Sequence, residues 1–321
     1  MALAKIADVF VQESLPSGQI LITGATGWVG RETIALLQRS LGGGFNRHVT
    51  LAGSRDSTIV VNGQTLHVRR LFDISSEEHF ETVIHLAFLT QEKANILGAE
   101  DFARLNREIS DFVYRLSDRS HVSQILVASS GAADPAVLDV FKDPAKRIYG
   151  ELKRESEELF AQLRDHDRTK VEICRIWSIS GSHFLTPTKY ALGNFIEQAK
   201  STGSIHLANS ALVKRAYIDA GEMMGVLLLD LFKGPGRLIS SGGFETTLQD
   251  LARLVLDEIN PRGEVFLPEQ THEHEEDVYA PNVEPFNIVA AKFGVALSGL
   301  SEQIRTTATS SIFASKTKNS V

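Results

Sequence analysis

The chain has 321 residues, of which 43% are hydrophobic and 23% charged. These values lie near the averages of globular proteins, which excludes disorder and fibrous repeats, and the length fits two domains or one large α/β domain. The 33 basic and 40 acidic side chains give a net charge of −7, so the positive field that draws a phosphate backbone is missing and nucleic acid is not expected as a partner.

The N-terminal stretch is broken by Lys5, Asp8 and Glu13, and no apolar run long enough to span a bilayer follows. No membrane association is expected, and a cytoplasmic location is the default. The single cysteine, Cys174, rules out an intrachain disulfide and a cysteine-rich zinc site, and reads as a small core residue.

After the polar break at Pro16–Gly18, Gln19–Thr23 reads as a buried parallel strand. Helical periodicity follows from Val29 to Ser40. Strands are then read at His48–Ala52 and Thr82–Ala87, a helix around Phe102–Ser117, and a further strand at Gln124–Ala128. A polar stretch, Gly131–Arg147, leads to a long amphipathic helix with Ile148, Leu152, Leu159, Phe160 and Leu163 on its apolar face, and Val171–Ile176 reads as a further strand. This alternation predicts an α/β fold with a doubly wound parallel sheet of the Rossmann type. Beyond Gly181 the pattern loosens, which divides the chain into a dinucleotide-binding part, 1–180, and a smaller, irregular substrate-binding part, 181–321. Segments at about 215–235 are expected to pack back on the first part.

Gly24, Thr26, Gly27, Trp28, Val29 and Gly30 form a GxxGxxG turn between the first strand and helix. Glycines let the backbone approach a pyrophosphate, and the helix N-terminus offers free amides and the positive end of its dipole. A purely structural turn is the alternative. An NAD site usually carries an acid at the end of the second strand. Here the strand runs into Gly53-Ser54-Arg55, which leaves room for a 2′-phosphate held by Ser54 and Arg55 and so favours NADP over NAD. In the other register Asp56 meets the ribose, Arg55 is a surface charge, and the cofactor is NAD.

Tyr149 and Lys153 stand at i and i+4 on one helix face. A nearby cation favours the tyrosinate, which suits the phenol to proton exchange. Ser130, at the carboxyl edge of the preceding strand, is placed to meet that phenol where open α/β sheets bind ligands.

Together, TGATGWVG, ETVIHLAF, VASSG, YGELK, KRAYIDAGEMMGVLL and VYAPNVEPFNIVAAKFG resemble, in order and over nearly the whole chain, the extended short-chain dehydrogenase/reductase family of sugar-nucleotide epimerases, dehydratases and reductases. The resemblance implies that Tyr149 is the acid/base, that Lys153 binds the nicotinamide ribose and tunes it, and that Ser130, ahead of Ser129, orients the substrate oxygen. It places Asp73, with Ile74 beside it, at the adenine, and Leu86, Ala87 and Phe88 along the adenosine side. Asn106 and Arg215 fall at substrate positions, Arg215 as a diphosphate ligand. Dehydratases of the family follow the catalytic hydroxyl with an Asp-Glu pair, whereas Gly131-Ala132-Ala133 stands here, which disfavours a 4,6-dehydratase.

The expectation is an NADP-dependent reductase acting on a nucleotide-linked keto sugar. The alternatives are an NAD-dependent sugar-nucleotide epimerase and, in another class, a dinucleotide-sensing regulator without chemistry. Helices flanking the sheet make a homodimer plausible. His272, Glu273 and His274, followed by acidic residues, read as a solvated loop, so no metal site is expected.

Overall fold

The computed structural model describes residues 6, 18–119, 122–164, 169–208, 213–268 and 277–314. Strand β1 (Ile20–Thr23) is buried along its whole length, as a central parallel strand covered on both faces must be. It feeds helix α1 (Trp28–Leu41), which buries Ile34, Leu36 and Leu37. Strand β2 (Val49–Gly53) follows. The chain then departs from simple alternation. Strands β3 (Ser57–Val61) and β4 (Gln64–Arg70) form an antiparallel hairpin that the sequence reading passes over. Its turn is Asn62-Gly63, both at positive φ (50° and 75°), the backbone that a two-residue hairpin turn requires.

Strand β5 (Thr82–His85) is followed by α2 (Gln91–Leu97) and the 21-residue α3 (Ala99–Arg119). Next come β6 (Gln124–Ser130), α4 (Pro144–Ala161), capped by the Asp143 carboxylate, and β7 (Lys170–Ile176). Beyond these lie β8 (Ser178–Ser180), α5 (Ala191–Ser201), β9 (Ile205–His206), β10 (Val213–Asp219) and α6 (Ala220–Lys233). The last elements are β11 (Leu238–Ser240), β12 (Phe244–Thr247), α7 (Leu248–Ile259), β13 (Val265–Phe266), β14 (Asp277–Tyr279), α8 (Glu284–Lys292) and α9 (Leu300–Ala308).

The main sheet has eight strands in the order β11-β7-β6-β5-β1-β2-β4-β3, parallel except for the edge hairpin. The strand order reverses at β1, between β2 and β5, and a Rossmann sheet binds its ligand at this switch point. Alternate strand residues enter opposite cores. Leu126 and Cys174 join one formed with α1 and α6, whereas Ile125, Val127 and Ile173 join one formed with α3 and α4. The C-terminal segment thus contributes a strand, β11, and a helix, α6, to the nucleotide-binding layer. A second sheet, β12-β10-β14 with β8 also on β10, stands beside it. It packs with α5, α7 and α9 around Phe195, Ile196, Tyr217, Leu251, Val255 and Ile304.

Among the described residues no helix is long and apolar enough to cross a membrane, and no His, Cys, Asp and Glu side chains cluster as metal ligands. His272, Glu273 and His274 lie outside the described residues.

Candidate active site

At the switch point the chain leaves β1 at Gly24, whose φ is +70° and where a Cβ would come within 2.6 Å of the Leu86 backbone. A Cβ on Gly30 would come within 2.4 Å of the Gly24 carbonyl oxygen, so this glycine lets the helix close on the turn. Gly27 caps α1 without any side-chain hydrogen bond, and no acidic residue stands in the first turn. The amides there keep a positive end facing the carboxyl edge of the sheet, and the residues fit a dinucleotide pyrophosphate. Trp28 and Val29 supply backbone to this seat, while the Trp28 ring turns away to pack edge-on against Phe184, 4.3 Å between centroids.

The neighbouring loop is fixed by hydrogen-bond capacity. Thr23 Oγ1 accepts from the amides of both Leu86 and Ala87 at 3.2 Å, so its own proton goes to His85 Nδ1 at 2.8 Å. Burial, aided by the Lys153 charge, pushes the His85 pKa down to about 3 and keeps the ring neutral. Leu86 and Ala87 therefore hold their backbone against Gly24. Phe88 departs from the adenosine side: its ring centroid is 5.8 Å from that of Tyr149, at the catalytic end.

At the end of β2 a Cβ on Gly53 would lie 3.0 Å from the Val68 side chain and 3.4 Å from Thr26, so any side chain there must push Val68 aside. Ser54 and Arg55 are exposed just beyond. Asp56 is drawn across the hairpin to His67 at 3.0 Å. A second guanidinium, Arg31, donates to the Thr26 and Val60 carbonyls at 3.2 and 3.0 Å. Asp73 lies past β4 on this same edge, exposed, with its carboxylate 3.5 Å from Arg70, while Ile74 is buried in the core.

The catalytic end is built by β6 and α4. Ser130, the last residue of β6, accepts the Ala132 amide at 3.2 Å, and its hydroxyl faces the buried Tyr149 phenol. Burial raises the Tyr149 pKa above its ordinary 10, with the neighbouring Ser130 hydroxyl opposing, so the phenol is protonated near neutrality. Lys153 is buried and donates to the Ala128 carbonyl at 2.7 Å. Burial lowers its pKa to about 7, and the Glu157 charge opposes that shift.

Two residues expected at the substrate face elsewhere. The Ser129 hydroxyl points to the opposite side of β6 and donates to Glu157 at 2.5 Å, because consecutive strand residues alternate in direction. Asn106 is buried; its side-chain oxygen accepts the Leu89 amide at 2.7 Å and its NH2 donates to the Phe102 carbonyl at 3.1 Å, which anchors the loop after β5. Arg215 is bonded to Asp277, with Nη2 3.0 Å from the carboxylate, and its guanidinium carbon lies 5.6 Å from the Tyr279 ring centroid.

The structure adds groups to which the sequence reading assigns no site role. Glu157 receives two parallel bonds from Arg175, both 2.9 Å, and Arg175 also reaches Asp134 at 3.0 Å. Tyr279, on β14, brings its phenol to the Ser130 side of the site, where burial raises its pKa above 10 and Ser130 and the Ala132 backbone oppose that shift. Trp177 lies over Gly131, where a Cβ would come within 2.4 Å of the indole, and its centroid is 4.6 Å from that of Tyr279. On the cofactor side, buried Glu32 of α1 accepts the His183 amide at 2.8 Å and contacts His183 Nδ1 at 2.9 Å, tying the helix to the C-terminal segment. The arrangement offers a seat for a dinucleotide and, at its far end, a proton-bearing phenol flanked by a hydroxyl and an ammonium.

A family model described as the NAD dependent epimerase/dehydratase family matches residues 20–236. None of the curated proteins matches the chain in sequence. Among solved structures, the chain is similar to a UDP-N-acetylglucosamine 4-epimerase from Methanobrevibacter ruminantium M1, with a TM-score of 0.71, 15% identity, and coverage of 94% of this chain and 100% of that one. It is also similar to an NAD-dependent NDP-hexosamine 5,6-dehydratase of tunicamycin biosynthesis, with a TM-score of 0.66, 17% identity, and coverage of 90% and 96%. A third is a UDP-glucose 4-epimerase from Stenotrophomonas maltophila with bound NAD and formylated UDP-arabinopyranose, with a TM-score of 0.67, 15% identity, and coverage of 95% and 100%. At these identities the likeness shows a shared fold.

Proposed function

Since the chain belongs to the NAD dependent epimerase/dehydratase family, we propose that it is an NADP-dependent reductase of a nucleotide-linked keto sugar. The observation that supports this reading is the end of β2: the usual acid is replaced by Gly53, where a Cβ would press on Val68 at 3.0 Å, Asp56 is paired with His67, and Ser54 and Arg55 are exposed beside it to meet a 2′-phosphate. Guanidinium and hydroxyl groups bind phosphate by charge-assisted hydrogen bonds, whereas the ribose diol of NAD calls for an acceptor.

The nicotinamide, when bound, supplies the hydride. Tyr149 holds the proton that the substrate oxygen takes as its carbon is reduced, and its raised pKa keeps that proton in place until then. Ser130 orients the same oxygen. Lys153, cationic below about pH 7, lowers the cost of the tyrosinate that remains and holds the cofactor's ribose.

A second reading has its own support. Two of the similar structures are 4-epimerases, and the same three side chains can oxidise and re-reduce one carbon with a retained NAD. Denaturing the purified protein and identifying the released dinucleotide by mass spectrometry, followed by titration with NADPH and NADH, separates the two. Little retained dinucleotide and a clear NADPH preference support the reductase, while stoichiometric NAD supports the epimerase.

A further inference from the structure

At the edge of the sheet beyond β2, three carboxylates are matched by three bases. Asp56 pairs with His67 at 3.0 Å, Glu78 with Arg69 at 2.7 Å, and Asp73 with Arg70 at 3.5 Å. Among the described residues no carboxylate pairs with Arg31 or Arg55. Arg55 is exposed, so water serves its charge. Arg31 is half-buried between α1 and the β3–β4 hairpin, and burial lowers its pKa with no carboxylate charge opposing the shift.

Main chain, not charge, fixes the position of Arg31. Its Nε donates to the Thr26 carbonyl at 3.2 Å and its Nη1 to the Val60 carbonyl at 3.0 Å. These bonds use two of the five N–H groups of a guanidinium and leave three. A carbonyl oxygen accepts them without neutralising the cation. Thr26 in turn borders Gly53, since its methyl carbon would lie 3.4 Å from a Cβ there. Gly53 stands where NAD sites carry the acid that takes the ribose hydroxyls, so the free side of Arg31 is tethered to the residue next to that edge.

We propose that Arg31 is a second ligand for a 2′-phosphate on the adenosine ribose, acting from the α1 side while Ser54 and Arg55 act from the end of β2, and that the hairpin belongs to the cofactor site because its Val60 carbonyl holds Arg31 in place. This role rests on the NADP reading of the cofactor. A phosphate monoester carries about −1.5 to −2 charges at pH 7, more than the single Arg55 cation neutralises. Anchoring the hairpin alone requires no cation, because a neutral amide also donates to carbonyls. The hairpin has such an anchor already: Gln38 of α1 donates to Gln64 at 3.0 Å and accepts from Asn62 at 3.2 Å.

The test is calorimetric titration of the full chain with adenosine 2′,5′-bisphosphate and adenosine 5′-monophosphate, which differ by the 2′-phosphate alone. The wild-type protein is expected to bind the bisphosphate more tightly by about tenfold or more, the worth of a charge-assisted hydrogen bond. Arg31→Gln keeps a donor for the hairpin and removes the charge. It is expected to weaken the bisphosphate by about tenfold and the monophosphate by less than about twofold. In wild type labelled with [15N]arginine, the Arg31 Nε signal, assigned through Arg31→Lys, is expected to move with the bisphosphate and to stay with the monophosphate. Equal losses for both ligands, an undiminished bisphosphate affinity, or an Nε signal indifferent to the 2′-phosphate overturns the proposal, while a wild-type preference for the bisphosphate leaves the NADP reading standing. A wild-type protein without that preference refutes the NADP reading, and the role of Arg31 with it.

Discussion

The Lys153 ammonium lies 3.8 Å from the centroid of the Phe88 ring, so a buried cation is held against an aromatic face while it donates to the Ala128 carbonyl. A desolvated cation–π contact is worth about 1–2 kcal/mol, and 1.36 kcal/mol is one pKa unit. Phe88→Leu keeps the packing and removes the quadrupole, so the Lys153 pKa, about 7 in the native protein, is expected to fall by about one unit. Titration of [13Cε]lysine signals checks this, and an unchanged midpoint would remove Phe88 from the charge balance of the site.

Tyr149→Phe keeps the ring near Phe88 and removes the proton. Turnover is expected to fall by about 10²–10⁴-fold, the usual worth of general acid catalysis. Dinucleotide affinity is expected to stay within about threefold, because the lost hydroxyl lies by Ser130, away from the glycine turn at Gly24 to Gly30 proposed to seat the pyrophosphate. Steady-state kinetics beside a fluorescence titration of NADPH distinguishes these effects. A parallel loss of binding would mean that the phenol is structural.

Arg55→Ala is expected to weaken NADPH by about tenfold to a hundredfold, the loss of a charge-assisted phosphate contact, with NADH little affected. Equal effects on both nucleotides, measured by titration, would show that Arg55 reads no 2′-phosphate.

Glu157→Gln leaves the inner side of Arg175 half-paired in a region where both side chains are largely buried. Breaking a buried pair from one side costs about 3–5 kcal/mol, and the retained contact of Arg175 with Asp134 places the expected loss near the lower figure. Urea denaturation reads it. Since the Glu157 charge also raises the Lys153 pKa, the same variant is expected to lower the lysine midpoint. A drop in stability with an unmoved Lys153 would confine Glu157 to a structural role.

Glu172, buried in β7 near Asp230, has its pKa raised to about 8 by desolvation. A carboxyl raised in the folded state binds a proton there that the unfolded chain has lost. Its contribution is therefore complete below the ordinary carboxyl pKa of 4.5 and disappears as pH rises through about 8. Glu172→Gln cannot ionise, so its melting temperature relative to wild type is expected to rise between pH 5 and pH 9. A difference that is flat across that range in calorimetry would contradict this account.

Much of the nucleotide-binding layer was legible because its signals are local. The glycine turn, the apolar strand runs and the Tyr149/Lys153 spacing each lie within a few residues. The edge hairpin was equally local, since Asn62-Gly63 between alternating segments is a strong turn signal, but a hairpin is not part of the strand and helix alternation that marks a parallel sheet. Extending the i, i+4 stripe of Tyr149 and Lys153 by one more turn reaches Glu157, and Arg175 would then have been the natural partner. Tyr279 had no such signal. It comes near Ser130 only because β14 pairs with β10 in a second sheet, 149 positions further along the chain. The directions of Ser129 and Asn106 depended on which pleat and which helix face they occupy, and a shift of one residue in either boundary would have reversed them.

Ser129 and Ser130 have a consequence for divergence among related chains. One hydroxyl enters a charged network under the sheet and its neighbour accepts the Ala132 amide beside the Tyr149 phenol, so the pair is not a duplicate from which either copy can be discarded. A mutation at one position finds no reserve in the other, and a single-residue insertion in β6 would exchange their duties and silence both. Adjacent identical letters here encode two separate genetic constraints.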